Sequence, residues 1–574
     1  MNRFSLIALL GSLLMTGCSF GSSTRAGAGD DGDDDAAAVS GEPDPFAVTI
    51  EIQSPERGTL SDASEVVVAG RASSTDSSIS DVTVNGTTAQ VAGDGSFQAT
   101  IPLVEGITLI ETEARDASGN SSTDARAVMA GTLVDQATPV AEGVVANLSG
   151  QAMSGLSGMV ADLANGTDFT ALATSLNPVV DTGDGCNSAK VFIESVQHAG
   201  IEVGVGAVVG GIDAAITVRS LVVTGQVNFR AVCIGGSASF TMTADAYDVG
   251  GVIVPSLSAG DITVSLDGVT SAFTGFNIDV GGVPGFVESL FEGQVRDRVA
   301  EILRDQIAQM VPPVANSFLA DFLATSYDVS LLGQTISLSI APSAMDWNEQ
   351  GGTIVLDTSA TVAGVSGGLY LSSPLPRPSA ADLASTGIRV GVADDVLNQL
   401  LAAIWSSGAL EQTMLPLPGD ALSAAFGGDV ASAELTLFLP PAASFDTATG
   451  TARLTVGDLL LEAVNPAGDV IASFVLSADI DLAVETSSDG RVKIITRAPR
   501  ILAQVLSQSD SLAVPLTGDT VAAIAELAIA QLSVVADDLL GNLPIPGIAD
   551  ATIASPTFQP VGGYLLLGGT ITFE

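Results

Sequence analysis

Apolar positions follow several spacings in succession along this chain. Residues 6–15, "LIALLGSLLM", are almost unbroken apolar, whereas residues 19–45 carry almost no apolar bulk. From 46 to 130 apolar residues alternate singly with polar ones, in "FAVTIEIQSP", "SEVVVAGRASS", "ISDVTVNGTTAQV", "GSFQATIPLVEG" and "ITLIETEARDASGN". A period of two predicts short strands. Turn pairs at Asn85-Gly86, Asp94-Gly95 and Gly119-Asn120 divide them, and such evenly spaced strands predict a β-sandwich.

Beyond residue 135 helical and strand spacing take turns. "TPVAEGVVANLSGQAMSGLSGMVADLAN" (138–165) places Val140, Val144, Leu148, Leu156, Met159 and Leu163 at broadly helical intervals, predicting a helix weakened by its glycines. Alternating strands follow from Lys190 to about Val280. "VPGFVESLFEGQVRDRVAEILRDQIAQMV" (283–311) then has Phe286, Leu290, Val295, Val299, Ile302 and Leu303 on one face. Arg296, Asp297, Arg298, Glu301, Arg304 and Asp305 lie on the other, a solvated helix surface. Further strands run to about 372.

After the proline-rich "SSPLPRPSA" (372–380) the order repeats. "ADDVLNQLLAAIWSSGAL" (393–410) predicts a helix near 392–406, with Val392, Val396, Leu397, Leu400, Leu401 and Ile404 inward. Asp394, Asp395, Asn398 and Gln399 fall mostly on the outward side, the two acids suiting the positive end of the helix dipole. Strands, a second long helix at 517–543 and a closing strand "GGYLLLGGTITF" complete the cycle. A repeat this long implies duplicated domains.

Composition narrows the function. The 574 residues are 47% hydrophobic and 15% charged, with a mean hydropathy of +0.46. Much apolar surface must be buried or serve a ligand. With 65 acidic and 19 basic residues the net charge is −46, which excludes a phosphate-binding nucleic-acid partner. There is one histidine, His198, and no CxxC pair, so a zinc site is disfavoured and neither metal nor cofactor is expected. No GxSxG string accompanies His198, and no glycosidase-type carboxylate pair stands out. A non-enzyme is expected.

The N-terminus reads as an export signal: Arg3, the apolar run, then "MTGC" ending at Cys18. That end resembles a bacterial lipobox, which implies cleavage before Cys18 (signal peptide 1–17) and a diacylglycerol on its thiol. Ser19 in place of Asp implies, by the same resemblance, the outer membrane of a bacterial cell envelope. Residues 18–45, including "DDGDDD", predict an acidic Gly/Ser/Asp tether rather than a calcium loop. The two remaining cysteines, Cys186 and Cys233, most simply form one disulfide in an exported chain. "IEVGVGAVVGGIDAAITV" (201–218) is broken by Glu202 and Asp213 and reads as strand, not membrane span.

Two resemblances sharpen this outline. The run "SP…GT", "VVVAG", "VTVNG", "GDGSF", "LVEGITLI", "ARDASGN" resembles bacterial Ig-like domains, implying a spacer or interaction module over 46–130. "VGVADDVLNQLLAAIWSSGALEQTMLP" resembles the start of the second barrel in the bactericidal/permeability-increasing family of the tubular lipid-binding (TULIP) superfamily. "ATIASPTFQPVGGYLLLGGTITF" resembles that family's close, and Cys186 with Cys233 fits its one disulfide. The resemblance implies an α+β, mostly β fold. An Ig-like sandwich would precede two tandem barrels, 135–372 and 386–574, joined by a linker at 373–385, each an antiparallel sheet wrapped on a long helix.

The implied function is binding, with or without transfer, of phospholipid or other acyl lipids in apolar pockets. Candidate lipid-facing residues are Leu290, Val299, Ile302 and Leu303 in the first barrel. Leu397, Leu401, Ile404, Ile524 and Leu527 are those of the second. Lipopolysaccharide-binding members carry a basic tip, whereas Lys190, Arg219 and Arg230 here are scattered among acids, so lipopolysaccharide neutralisation is not expected. The rival reading is a non-catalytic surface adhesin or scaffold lipoprotein whose Ig-like domain meets a protein or cell-surface partner.

Overall fold

The computed structural model describes residues 47–573 apart from 167, 259–260, 284–290, 323–325, 332–333, 366, 374, 385–386, 411–422, 424–429, 449, 487–491, 497–498, 510–511, 513–515, 517–520, 522–524 and 526–550. The described chain is mostly β. Cys18, Leu290, Ile524, Leu527 and nearly all of the second predicted long helix lie outside the described residues.

Residues 48–130 form two facing sheets. One orders Val48–Ser54, Glu65–Ser74, Ser96–Pro102 and Gln90–Val91; the other orders Thr59–Ser61, Ser121–Ala130, Gly106–Asp116, Ile79–Val84 and Thr87–Thr88. The core between them includes Ile50, Val68, Val82, Phe97, Ile110 and Val128. Turn chemistry sets the register as predicted. Asn85 and Gly86 are both left-handed (φ 47° and 74°) and close the Val84–Thr87 pair, which is what a two-residue hairpin turn requires.

The centre of the molecule is a seven-stranded sheet ordered Ser326–Leu331, Gln334–Asn348, Gly351–Val362, Val140–Ser149, Ile388–Ala393, Tyr564–Phe573 and Ala551–Val561. Its two middle strands pair antiparallel, Val144 opposite Val392 and Leu148 opposite Ile388. Each leads directly into a helix, Gly150–Asn165 or Asp394–Ser406. Each is flanked by the second strand of a late hairpin, Gly351–Val362 or Tyr564–Phe573. The two halves of the chain therefore contribute matching parts to one sheet.

Outside this sheet each half builds a lobe. The first orders Val180–Asp184, Asn187–Gln197, Gly211–Ala231, Ile234–Ser258 and Asp261–Thr274, with Gly200–Val208 and Asn277–Val280 at the margins. The helix Arg296–Phe322 packs on it, preceded by a π-helical turn, Phe291–Val295. The second orders Ser432–Leu437, Thr451–Val464, Val470–Thr486 and Val492–Thr496, with Ala442–Asp446 and Arg500–Gln508 beside them.

Three expectations are corrected. Val140, Val144 and Leu148 do not belong to a helix; they lie in a central strand, and the helix starts only at Gly150. That strand is buried continuously over Val144–Asn147's apolar members because both faces are covered, and Glu142 at φ 54° marks a bulge. The alternation expected of a half-exposed strand is therefore missing. Val392 likewise lies in a strand, Ile388–Ala393, rather than opening a helix. The first long helix continues through Pro312 and Pro313 to Phe322 instead of stopping at Val311, although each proline withdraws one backbone donor.

Candidate functional site

In the first lobe the helix Arg296–Phe322 lays its apolar face on the curled sheet. Val299, Ile302 and Leu303 are buried there among Val191, Val223, Met242 and Val249. The polar face remains outside as predicted, with Arg298 paired to Glu301 and Arg304 to Asp305. Tyr247 is fully buried and donates its hydroxyl to the Ala300 carbonyl at 2.5 Å; burial pushes its pKa up.

Toward the margin of the sheet the inward positions Val269, Phe273, Phe276, Ile278 and Val280 are only half-buried, as is Val311 on the helix. Phe273 lies 4.5 Å from the Tyr247 ring and 5.2 Å from Phe276. These partly buried residues pack against the buried core and extend its apolar surface toward the margin of the sheet. These strand residues were not among the candidates expected from the sequence, all of which lie on predicted helices. The signal was present in "VTSAFTGFNIDV", where apolar residues recur among polar ones.

The helix Asp394–Ser406 differs from its expected amphipathic form. Leu397, Leu401 and Ile404 are buried between the central sheet (Ile336, Leu338, Val362) and the second lobe (Leu435, Phe445, Leu476). Asp394, Asp395, Asn398 and Gln399 are buried as well, and each serves a backbone group elsewhere. The Gln399 amide donates to the carbonyls of Gln136 (3.1 Å) and Thr138 (2.8 Å), and its oxygen accepts from Ala360 N–H at 2.8 Å. Asn398 accepts from Ala443 N–H, Asp394 from Phe445 N–H and Asp395 from Ser373 N–H. Burial drives the Asp394 pKa up to about 7 and that of Asp395 up to about 6, with Glu105 adding to both.

The sandwich is not a free spacer. Ile107, Leu109, Ala127 and Met129 pack on Leu439, Ala442 and Leu502 of the second lobe. Beside them Arg57 donates to Asp458 (2.9 Å), to Gln504 (2.5 Å) and to the Ala125 carbonyl (3.1 Å). Arg126 donates to Asp124 at 2.6 Å and to the Ile52 carbonyl at 2.7 Å. Asp458 reaches Arg57 from a bulge where its own φ is 48°. Burial raises the pKa of Asp124 and of Asp458 in spite of their cationic partners.

Cys186 and Cys233 are disulfide-bonded, as expected. Lys190 pairs with Asp181 and Arg219 with Glu202, all exposed. His198 packs edge-on against Phe169, and its Nδ1 has no hydrogen-bond partner. Among the described residues no helix is long and apolar enough to cross a membrane.

Comparison with known proteins gives one match to a family and several to solved structures. The family described as glucodextranase, domain B matches residues 48–132, the sandwich. No curated protein sequence matches the chain. Among solved structures, a lipopolysaccharide binding protein is 15% identical with a TM-score of 0.43, covering 75% of this chain and 99% of its own. P47 of Clostridium botulinum E1 is 9% identical with a TM-score of 0.24, covering 76% and 100%. P47 of Clostridium botulinum A2 is 7% identical, also at 0.24, covering 76% and 99%.

Proposed function

We propose that this chain is a lipid-anchored envelope protein that binds acyl lipids in the interior of its first lobe, and in a similar interior of the second, without catalysing a reaction. In this reading it is a two-barrel protein of the bactericidal/permeability-increasing kind, held at the outer membrane through Cys18. The half-buried strip of Val269, Phe273, Phe276, Ile278 and Val280 carries the proposal. Apolar side chains left partly open to solvent beside a core are what an acyl ligand would cover. An acyl chain lying along it gains about 0.8 kcal/mol per buried CH₂, less the cost of ordering the chain. No polar constellation is needed for that. The adhesin reading loses ground because the sandwich is fastened to the second lobe rather than held out from it.

Native mass spectrometry of the protein taken from its own membranes tests both parts. An N-terminus at Cys18 bearing acyl mass is expected, together with one or two non-covalent acyl lipids. Refolded, delipidated protein should bind a fluorescent fatty-acyl probe saturably. Phe273→Asp should weaken that binding about tenfold or more, since it places a carboxylate where an apolar chain would lie. Absence of saturable binding in the unsubstituted protein would refute the lipid reading.

A further inference from the structure

The strand Ala442–Asp446 pairs on one side with Thr451–Val464, Phe445 lying opposite Ala452. On its other side stands the first turn of the helix Asp394–Ser406. There Ala443 N–H donates to Asn398 Oδ1 at 2.7 Å, and Phe445 N–H to Asp394 Oδ2 at 3.3 Å. Side chains one helical turn apart, about 5.4 Å along the axis, thus meet alternate N–H groups spaced about 6.7 Å along a strand, in place of a neighbouring strand. Asp395 holds a different element. Its carboxyl accepts from Ser373 N–H at 2.9 and 3.0 Å and from Ser372 Oγ at 3.1 Å, which fastens the segment joining the two halves.

Both acids are buried, at 6% and 5% exposure, and Asp394 Oδ1 has no hydrogen-bond partner among the described residues. Glu105, exposed on the sandwich just before Gly106–Asp116, adds its charge to theirs. The other titratable groups of the elements around this turn bring no compensation. Tyr564 and Tyr370 are buried and donate their hydroxyls to the carbonyls of Glu142 (3.0 Å) and Thr138 (3.1 Å). Asp357 accepts from Glu142 N–H at 2.9 Å. Arg377 pairs with Asp346 at 3.9 Å, and Arg389 on Ile388–Ala393 donates to the Asp382 carbonyl. Two neighbouring carboxylates without a cation are costly in such a place, whereas two carboxylic acids are not. Burial first, and then the nearby acidic charge, raises Asp394 to about 7 and Asp395 to about 6.

We infer that Asp394 and Asp395 form a proton-operated latch. Protonated, they hold the strand Ala442–Asp446 and the segment at Ser372–Ser373 against the helix; ionised, they release that margin of the second lobe to water. The closed state keeps protons that the open state gives up, so opening becomes easier as pH rises through these values. Ala443 and Phe445 belong to the core that includes Leu397, Leu401 and Ile404, so release uncovers apolar interior. The inference does not depend on lipid being held there.

Amide hydrogen exchange of the full chain, expressed as protection factors so that the intrinsic pH dependence of exchange cancels, tests the latch. Between about pH 5 and about pH 8, protection at Ser373, Ala443 and Phe445 should fall about tenfold or more. Leu460 and Val475, paired within the second lobe, should remain protected about tenfold or more beyond them even at the upper end. Asp394→Asn with Asp395→Asn keeps the acceptor oxygens without the charge, and should hold protection level across the range. Glu105→Lys, on an exposed residue, should shrink the fall and tests the latch even where the paired variant does not fold. Calcium chloride or a chelator should change none of this. Level protection at Ser373 and Phe445 in the unsubstituted chain, exchange there only in step with Leu460 and Val475, or an undiminished fall in either variant would overturn the inference. A fall abolished by calcium would also overturn it, because the acids would then be cation ligands.

Discussion

Gln399 satisfies three backbone groups from two separate segments with a single side chain, and it does so with no exposure to solvent. Truncation leaves those groups buried and unpaired beside a cavity. Gln399→Ala should therefore cost about 3–5 kcal/mol, measurable by urea denaturation. Asp394 and Asp395 act on stability through pH. Their folded pKa values are raised to about 7 and about 6 from 3.8, so the native state keeps protons that the unfolded chain has released. Stability is then unpenalised below about pH 4 and falls as pH rises toward 7. Thermal melts across that window should show the fall, and Asp394→Asn with Asp395→Asn should flatten it. An unchanged slope in the double variant would remove these residues as its source.

At the scale of elements, the contact between the sandwich and the second lobe is a buried ionic network bordered by apolar residues. Removing one partner strands a charge out of water. Arg57→Ala should destabilise by about 3–5 kcal/mol, and Arg57→Met with Asp458→Leu by much less. Denaturant unfolding of the two variants tests this comparison; equal losses would mean that the ions act independently. The same contact predicts that cutting away residues 46–130 exposes Leu439, Ala442 and Leu502. Elements were legible from sequence where one face meets water. The sandwich strands and the Arg296–Phe322 helix show clean alternation or a clean stripe, and both are present, although the helix runs past its expected end at Val311. Val140–Ser149 and Asp394–Ser406 were misjudged in part because they are covered on all sides. Burial all round erases the polar half of the pattern, and a strand with apolar residues at 140, 144 and 148 then imitates a helix.

At the scale of the whole molecule, the repeat noticed in sequence becomes a near-symmetric pairing of strand-plus-helix units across the central sheet. The candidate site was only half legible. Helical stripes led to Val299, Ile302 and Leu303, which lie in the buried core of the first lobe. Phe273, Phe276 and Ile278, partly buried beside that core, lie on or between marginal strands. Only the curl of the sheet brings those positions opposite the helix, and no one-dimensional spacing encodes curl. The central pairing also fixes an order of events. Val140–Ser149 joins strands starting at residues 351 and 388, and the latter joins the strand ending at Phe573. Such a sheet has very high contact order, and its middle cannot be completed until nearly the last residue is available. A chain emerging from a ribosome therefore presents an unpaired Ile388–Ala393 edge until the strand Tyr564–Phe573 arrives. Any truncation before residue 564 leaves that edge open to pairing between chains.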